Sequence, residues 1–530
     1  MNTAKLDANG IHRTRLFAGA CLALFPTAFS FALVGGILGQ LKTEFVLTNA
    51  NVGIIGGAVL WGMALSLIFV APFLERIGLR AAAIGAFFGH LIGVTLLLSA
   101  VFFTGGGAAG FWVLFLGALC LGTGNGLIEA AGNPMVAALY PEQRTVKLNH
   151  FHAFFPGGMV IGSLLGWAMY QIGSVGGLNL GHWTTQIAIM YIPIVIYGAM
   201  ILPLKFPKTE TAEAGVPVSE ILRYTLTHPV VLALIVIKML TLSMELGPMR
   251  WIPDVLDNAG VPGLLVFAWV TGLMAVLRLF AAPVVERLAP TGILIIAALL
   301  TGLGLTLFSI FATGLVPLMF AATIFAFGVA FFFPTLVGLM SERYPRTGSV
   351  GIVLMIGFGM GASGTLQGQI GVIADHYMPS ALNEQQTVHI MEQVEDRFPA
   401  YVVQAEAVAN DADALTALGY LPQDMQTVVD YNESALTHYR QTGSLDGILT
   451  GNALRALLAS ELDQESELIA DAGEVLRPAD NYGGRMAFRW IAPVALIVAI
   501  FFGVMFMRDR KQGGYRQVKL ETADPGRGAS

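Results

Sequence analysis

Charge is what this chain has little of. Only 12% of its 530 residues are Asp, Glu, Lys or Arg, while 55% are hydrophobic; an ordinary soluble domain is about a quarter charged. A surface wholly in water cannot be built from that composition, so lipid must solvate much of it. Cysteine is scarce as well. Cys21 and Cys120 are the only two, and both fall in apolar stretches, which excludes a disulfide framework and a thiolate metal site. No glycine-rich phosphate loop, nucleophile triad or metal-ligand cluster occurs in the sequence. An ATP-driven pump and an enzyme are therefore disfavoured, no cofactor is expected, and nothing calls for a nucleic-acid partner.

What is present is apolar length. A stretch of about twenty residues crosses a hydrocarbon core of ~30 Å, and twelve such spans can be drawn: 16–39, 50–72, 79–103, 111–138, 149–172, 185–205, 229–256, 262–286, 291–313, 316–339, 348–375 and 487–507. The expected fold class is an all-α membrane protein with twelve transmembrane helices in two pseudo-symmetric six-helix bundles. Its parts are an N-terminus (1–15), a first bundle (16–205), a polar linker (206–228), helices seven to eleven (229–375), a polar insert (376–486), helix twelve (487–507) and a tail (508–530).

Basic residues flanking spans are retained in the cytoplasm. Arg13, Arg15, Arg76, Arg80, Arg144, Lys205, Arg223, Arg287, Arg343 and Arg508 gather on one side, against Lys42 alone in the short loops of the other. Both termini and the linker are thus expected in the cytoplasm, the insert outside, and the chain in the cytoplasmic membrane. The insert holds 18 of the 35 acidic residues and 5 of the 29 basic ones, a net charge of −13. Its apolar residues recur at helical spacing, as in Leu454, Leu457, Leu458 and Leu462, which predicts a helical cap with a solvated acidic face.

The two halves echo each other. Pro72-Phe73-Leu74-Glu75-Arg76 follows span two and Pro283-Val284-Val285-Glu286-Arg287 follows span eight, while Pro134 with Tyr140-Pro141 on helix four matches Pro334 with Tyr344-Pro345 on helix ten. Repeated halves are how many carriers are built, with the cargo site between them near the midplane. The stretch Ala71 to Arg80 resembles the cytoplasmic loop signature of the major facilitator superfamily, with Ala71 in place of Gly and Glu75 in place of Asp. Glu129-Ala130-Ala131-Gly132-Asn133-Pro134, followed by Leu148-Asn149-x-x-His152-x-Phe154, is similar to a pattern of the fucose–galactose–gluconate proton symporter family within that superfamily. His152 stands where that family has Gln, and Val34-Gly35-Gly36 where its first helix has Asn-Asp.

The resemblance implies a secondary active transporter working by alternating access, with a sugar as cargo and a proton as coupling ion. Asn149, His152 and Phe154 would contribute to the cargo site, and Glu75, Arg76 and Arg80, with Glu286 and Arg287 of the second half, would form charge latches at the helix ends.

Ionisable groups inside spans are costly and by default point to function. Glu129 lies four residues from both Asn125 and Asn133, so all three share a stripe of helix four, and a buried acid there is suited to proton exchange. Lys238 and Glu245 share a face of helix seven, and Glu129, Lys238 and Arg278 lie at similar depth, which makes an ion-coupling cluster between the halves geometrically feasible. It would equally suit an anionic cargo. Trp251, near the outer end of helix seven with Glu245, offers a stacking surface for a sugar ring or an interfacial anchor. His90 reads as core. Gly158, Gly162 and Gly166, and Gly357 with Gly361, read as close helix packing. The rival readings are a sugar-acid symporter, a sodium-coupled carrier, an efflux carrier, and a non-transporting receptor that binds through the insert.

Overall fold

The computed structural model describes residues 10–104, 107–140, 144–207, 218–280, 284, 287–516 and 518. In lipid every backbone N–H and C=O must be satisfied within the segment, so apolar runs of this length become helices. The first half comprises α1 (Arg13–Gly36), a short α2 (Leu38–Glu44), α3 (Asn49–Val70), α4 (Leu74–Ser99), α5 (Ala108–Leu139) and α6 (Arg144–Ile172), and a sixth crossing broken into α7 (Trp183–Ala188) and α8 (Tyr191–Ile201). The linker carries α9 (Val218–Thr227). The second half holds α10 (Pro229–Asp257), α11 (Gly263–Leu279), α12 (Pro290–Ile310), α13 (Leu315–Val329), α14 (Phe332–Arg343) and α15 (Gly348–Tyr377). The insert is helical, as its leucine spacing predicts. It consists of α16 (Glu384–Ala407), α17 (Ala412–Leu418), α18 (Pro422–Thr442), α19 (Gly447–Ala459) and the start of α20 (Ser466–Ile491), with α21 (Val494–Lys511) completing the last crossing.

Among the described residues, eleven helices are long and apolar enough to cross a membrane, against the twelve spans drawn from the sequence. The difference is the eighth span: its helix, Gly263–Leu279, has 17 residues, short of the ~20 a crossing needs, and residues 281–283 and 285–286 of the expected span lie outside the described ones. At the other end, α20 runs unbroken from the insert into the last crossing, so no helix boundary falls at 486.

The loop signature of the first half has a backbone reason. Gly78 takes φ 78° and ψ 152°, a conformation open to glycine and strained for other residues. Within the first half, Gly158, Gly162 and Gly166 of α6 seat against Ala28, Phe29 and Leu33 of α1. Between the halves, α3 lies along α15 and α1 along α10. A Cβ added at Gly53 or Gly57 would run into the α15 backbone at Gln367 or Gly364, and one at Gly371 into the α3 backbone at Asn49, while Gly357 and Gly361 face Ile68 and Ala64. Small residues thus let the two halves close backbone to backbone. The insert has its own apolar core, including Phe398, Met425, Leu454, Leu457 and Leu476.

Candidate functional site

The helix-four stripe divides into two networks. Asn125 is fully buried; its Nδ2 donates to Ser30 Oγ at 3.1 Å and its Oδ1 accepts from His90 Nε2 at 3.0 Å. That donation leaves Nδ1 of the neutral imidazole as the acceptor, for the Tyr197 hydroxyl at 2.9 Å. Four buried polar groups from α1, α4, α5 and α8 so satisfy one another, and His90 is core, as its position in an apolar span suggests. One turn on, Asn133 Nδ2 donates at 2.9 Å to Glu129 Oε2, and Asn133 Oδ1 accepts from His152 Nε2 at 2.7 Å. Here Glu129 and Asn133 are half-buried and His152 is exposed. Phe154, also exposed, stands edge-on to Phe25 with ring centres 6.1 Å apart. Asn149 lies in α6, with its side chain outside the described residues.

The helix-seven residues form a separate group on α10. Arg278 of α11 reaches Glu245 Oε1 at 3.4 Å and donates through Nε to the Ala330 carbonyl at 2.9 Å. Lys238 is fully buried, and its ammonium sits 3.8 Å over the Phe333 ring with no hydrogen-bond partner among the described residues, an arrangement in which the ring face offsets part of the lost hydration. Of the expected cluster, Arg278 therefore joins Glu245, while Glu129 is bonded to Asn133 in the other half. Trp251 is buried, its Nε1 unpartnered among the described residues, and so presents no stacking face in this state. Its neighbour Arg250 crosses between the halves, donating to the Ser30 carbonyl at 3.3 Å with its guanidinium carbon 4.9 Å from the centre of the Phe31 ring.

The expected latches lie at the linker end. Arg80 donates to the Leu202 carbonyl at 3.1 Å, and Arg76 and Arg287 are exposed. The Glu75 side chain and Glu286 lie outside the described residues. An interdomain lock stands instead at the opposite, insert end, and sequence reasoning missed it. Lys42 Nζ lies 2.8 Å from Asp254, 3.3 Å from Asp480 and 3.2 Å from Asn49 Oδ1. Asn49 Nδ2 donates to Asp375 at 2.9 Å and to Asp480 at 3.0 Å. Asp375 also caps the start of α3 by accepting from the N–H groups of Asn49 and Ala50 at 3.1 and 2.9 Å, and Arg455 Nη2 meets Asp480 at 2.7 Å. All six residues are buried. Burial works against the Lys42 charge, but the Asp254 and Asp480 carboxylates more than offset it and hold its pKa above the usual lysine range. The signal in the sequence was Lys42 itself, the one cation of its side's short loops.

With this geometry in place, comparison with known proteins is informative. The profile of the Major Facilitator Superfamily matches residues 20–369. The L-fucose-proton symporter of Escherichia coli K12 is 26% identical over 151 residues, covering 28% of this chain and 33% of that protein. The gentisate transporter of Corynebacterium glutamicum is 23% identical over 215 residues, covering 41% of this chain and 45% of that protein. The chain thus spans less than half the length of either of these two relatives. Among solved structures, a bacterial homologue of the human lysosomal transporter Spinster superposes with a TM-score of 0.63 at 13% identity, over 96% of this chain and 99% of that one.

Proposed function

On the footing that the chain belongs to the Major Facilitator Superfamily, and is thus a multi-pass secondary transporter rather than an enzyme, we propose that it carries a sugar in symport with a proton. The observation that carries the proposal is the run from exposed His152 through Asn133 to the Glu129 carboxylate, with links of 2.7 and 2.9 Å. An imidazole, an amide and a carboxylate in series supply the alternating donors and acceptors that hydroxyl groups pair with. A carboxylate that exchanges a proton there ties ion binding to cargo binding, which coupled transport requires. The similarity to a protein named as an L-fucose-proton symporter supports the same cargo. By the distribution of Lys and Arg, the linker end with both termini faces the cytoplasm and the insert faces outward.

A second reading, a sugar acid as cargo, is favoured by Lys238, whose buried ammonium has no hydrogen-bonding partner among the described residues. Flux into proteoliposomes under a pH gradient or a sodium gradient, with neutral hexoses set against sugar acids, separates these readings. For the favoured one, Glu129→Gln abolishes pH-driven accumulation and leaves downhill exchange, because glutamine keeps the shape but cannot ionise. Normal accumulation by this variant would remove Glu129 from the coupling role, and transport of acids alone would replace the first reading by the second.

A further inference from the structure

The acidic insert reads from sequence as an appended cap, yet two of its side chains, Arg455 and Asp480, are buried in the lock between the halves, bonded to each other at 2.7 Å and, through Asp480, to Lys42 and Asn49. Lys42 and Asn49 belong to the first half. Helix α2, which carries Lys42, is fixed there: Gln40 donates to the Gly181 carbonyl at 3.0 Å, and Glu44 accepts from Trp183 Nε1 at 2.6 Å. The insert, in contrast, is seated on the second half. A Cβ at Gly447 would strike the Asp375 carbonyl, one at Gly483 would strike the Ala374 carbonyl, and α20 continues into the last crossing.

A second contact reaches the same corner independently of charge. Val46, in the turn between α2 and α3, is buried as part of the insert's own apolar core, the cluster that also holds Phe398 and Leu457. It sits there at φ 48°, in the left-handed region that a β-branched residue rarely adopts. Such a backbone persists where the surroundings over-determine it, and here what surrounds the side chain is the insert.

From these contacts we infer that the insert is the clasp of the carrier. It moves with the second half, grips the α2–α3 corner of the first through Val46, Lys42 and Asn49, and holds the insert end shut. Opening that end separates Lys42 and Asn49 from Asp254, Asp375 and Asp480, and draws Val46 out of the insert's core. Removing one member of a buried charged network leaves the others unpaired, so loss of Arg455 or Asp480 shifts the protein toward the open state. The inference rests on alternating access but on no particular cargo, and its test requires none.

The test uses the full chain in nanodiscs, with Cys21→Ser and Cys120→Ser and a single reporter, Val52→Cys. Val52 is fully buried one turn below Asn49. The rate of labelling by a membrane-impermeant maleimide then reads how often the insert end opens. Arg455→Gln and Asp480→Asn are expected to accelerate labelling about tenfold or more, as Lys42→Gln does. Unchanged rates for the two insert variants beside an accelerated Lys42→Gln would overturn the proposal. Ile128→Cys, buried in the first half, reports general unfolding and is expected to stay unlabelled. Should it label in parallel, Val46→Gly decides the matter, since it withdraws the hook, relieves the backbone and unpairs no charge. An acceleration of a few-fold at Val52→Cys supports the clasp, and none excludes it.

Discussion

The two ends of this transporter treat polar groups in opposite ways. At the insert end, Lys42, Asn49, Asp254, Asp375, Arg455 and Asp480 are all buried and bonded to one another across the halves. Toward the linker end, His152 is exposed, Glu129 and Asn133 are half-buried, and Arg278 keeps 24% of its side chain accessible. The contrast teaches where the free energy of closure resides. A desolvated network contributes stability only while every member is paired, so it acts as an all-or-none lock, whereas groups with an exposed face can exchange partners with water, protons or cargo at little cost.

Breaking the closed end should give the largest change. Lys42→Gln leaves Asp254 and Asp480 facing each other in a buried site and is expected to cost about 3–5 kcal/mol, read as a fall in the apparent melting temperature of the purified protein, with part of it restored by Asp254→Asn. At the opposite end, Arg343 and Asp509 pair at 2.6 Å with the arginine partly exposed, and Arg343→Gln is expected to cost less, about 1.5–3 kcal/mol. Equal losses would erase the distinction between the ends.

A steric change tests the same interface without touching charge. Gly57→Val pushes a branched side chain into the α15 backbone at Gly364. An overpacking cost of about 1–3 kcal/mol should fall on the closed state alone, so the variant is expected to expose Val52→Cys to thiol reagents without loss of folded protein. Continued protection would mean that α3 and α15 do not part in that way.

The smallest effect belongs to the solvated face of the insert. Arg440 and Glu395 pair at 2.6 Å but are about half exposed, so solvent screening leaves their pairing worth little. Hydrogen bonding from Arg440 holds the Glu395 carboxyl below its usual range. A depressed carboxylate pKa contributes stability at pH values above the unfolded value and loses it as pH falls through the folded one. A double-mutant cycle on Arg440→Ala and Glu395→Ala should therefore show a small coupling at neutral pH that is lost as pH falls below the usual carboxylate range. A coupling as large as that of Lys42 would make the insert's surface, rather than its buried corner, the source of its grip.

How much of this was legible in the sequence follows from what each feature depends on. Helix positions, the division into halves, the core role of His90 and the helical insert rest on local periodicity, and one chain displays that directly. The eighth span, expected over 262–286, is described as a helix as far as Leu279, with residues 281–283 and 285–286 outside the described ones. The stripe of Asn125, Glu129 and Asn133 was visible as spacing, but its division was not. Ser30, His90 and Tyr197, which claim Asn125, come from three other helices, and His152, which claims Asn133, from a fourth. The lock was hidden for the same reason more strongly, since Lys42 and Asp480 are 438 residues apart. Only the isolation of Lys42 among the short loops of its side hinted that a lone cation there must find acids elsewhere.

The insert end, shut in this structure, is in this reading a gate that opens during transport. Spin labels at Phe102 and Val316, both highly exposed at that end of opposite halves, allow a direct pulsed-EPR distance measurement in nanodiscs. Two populations are expected, a short one matching this structure and a longer one that grows when the lock is broken by Lys42→Gln. A single short distance for both parent and variant, in preparations that carry out solute flux, would contradict it.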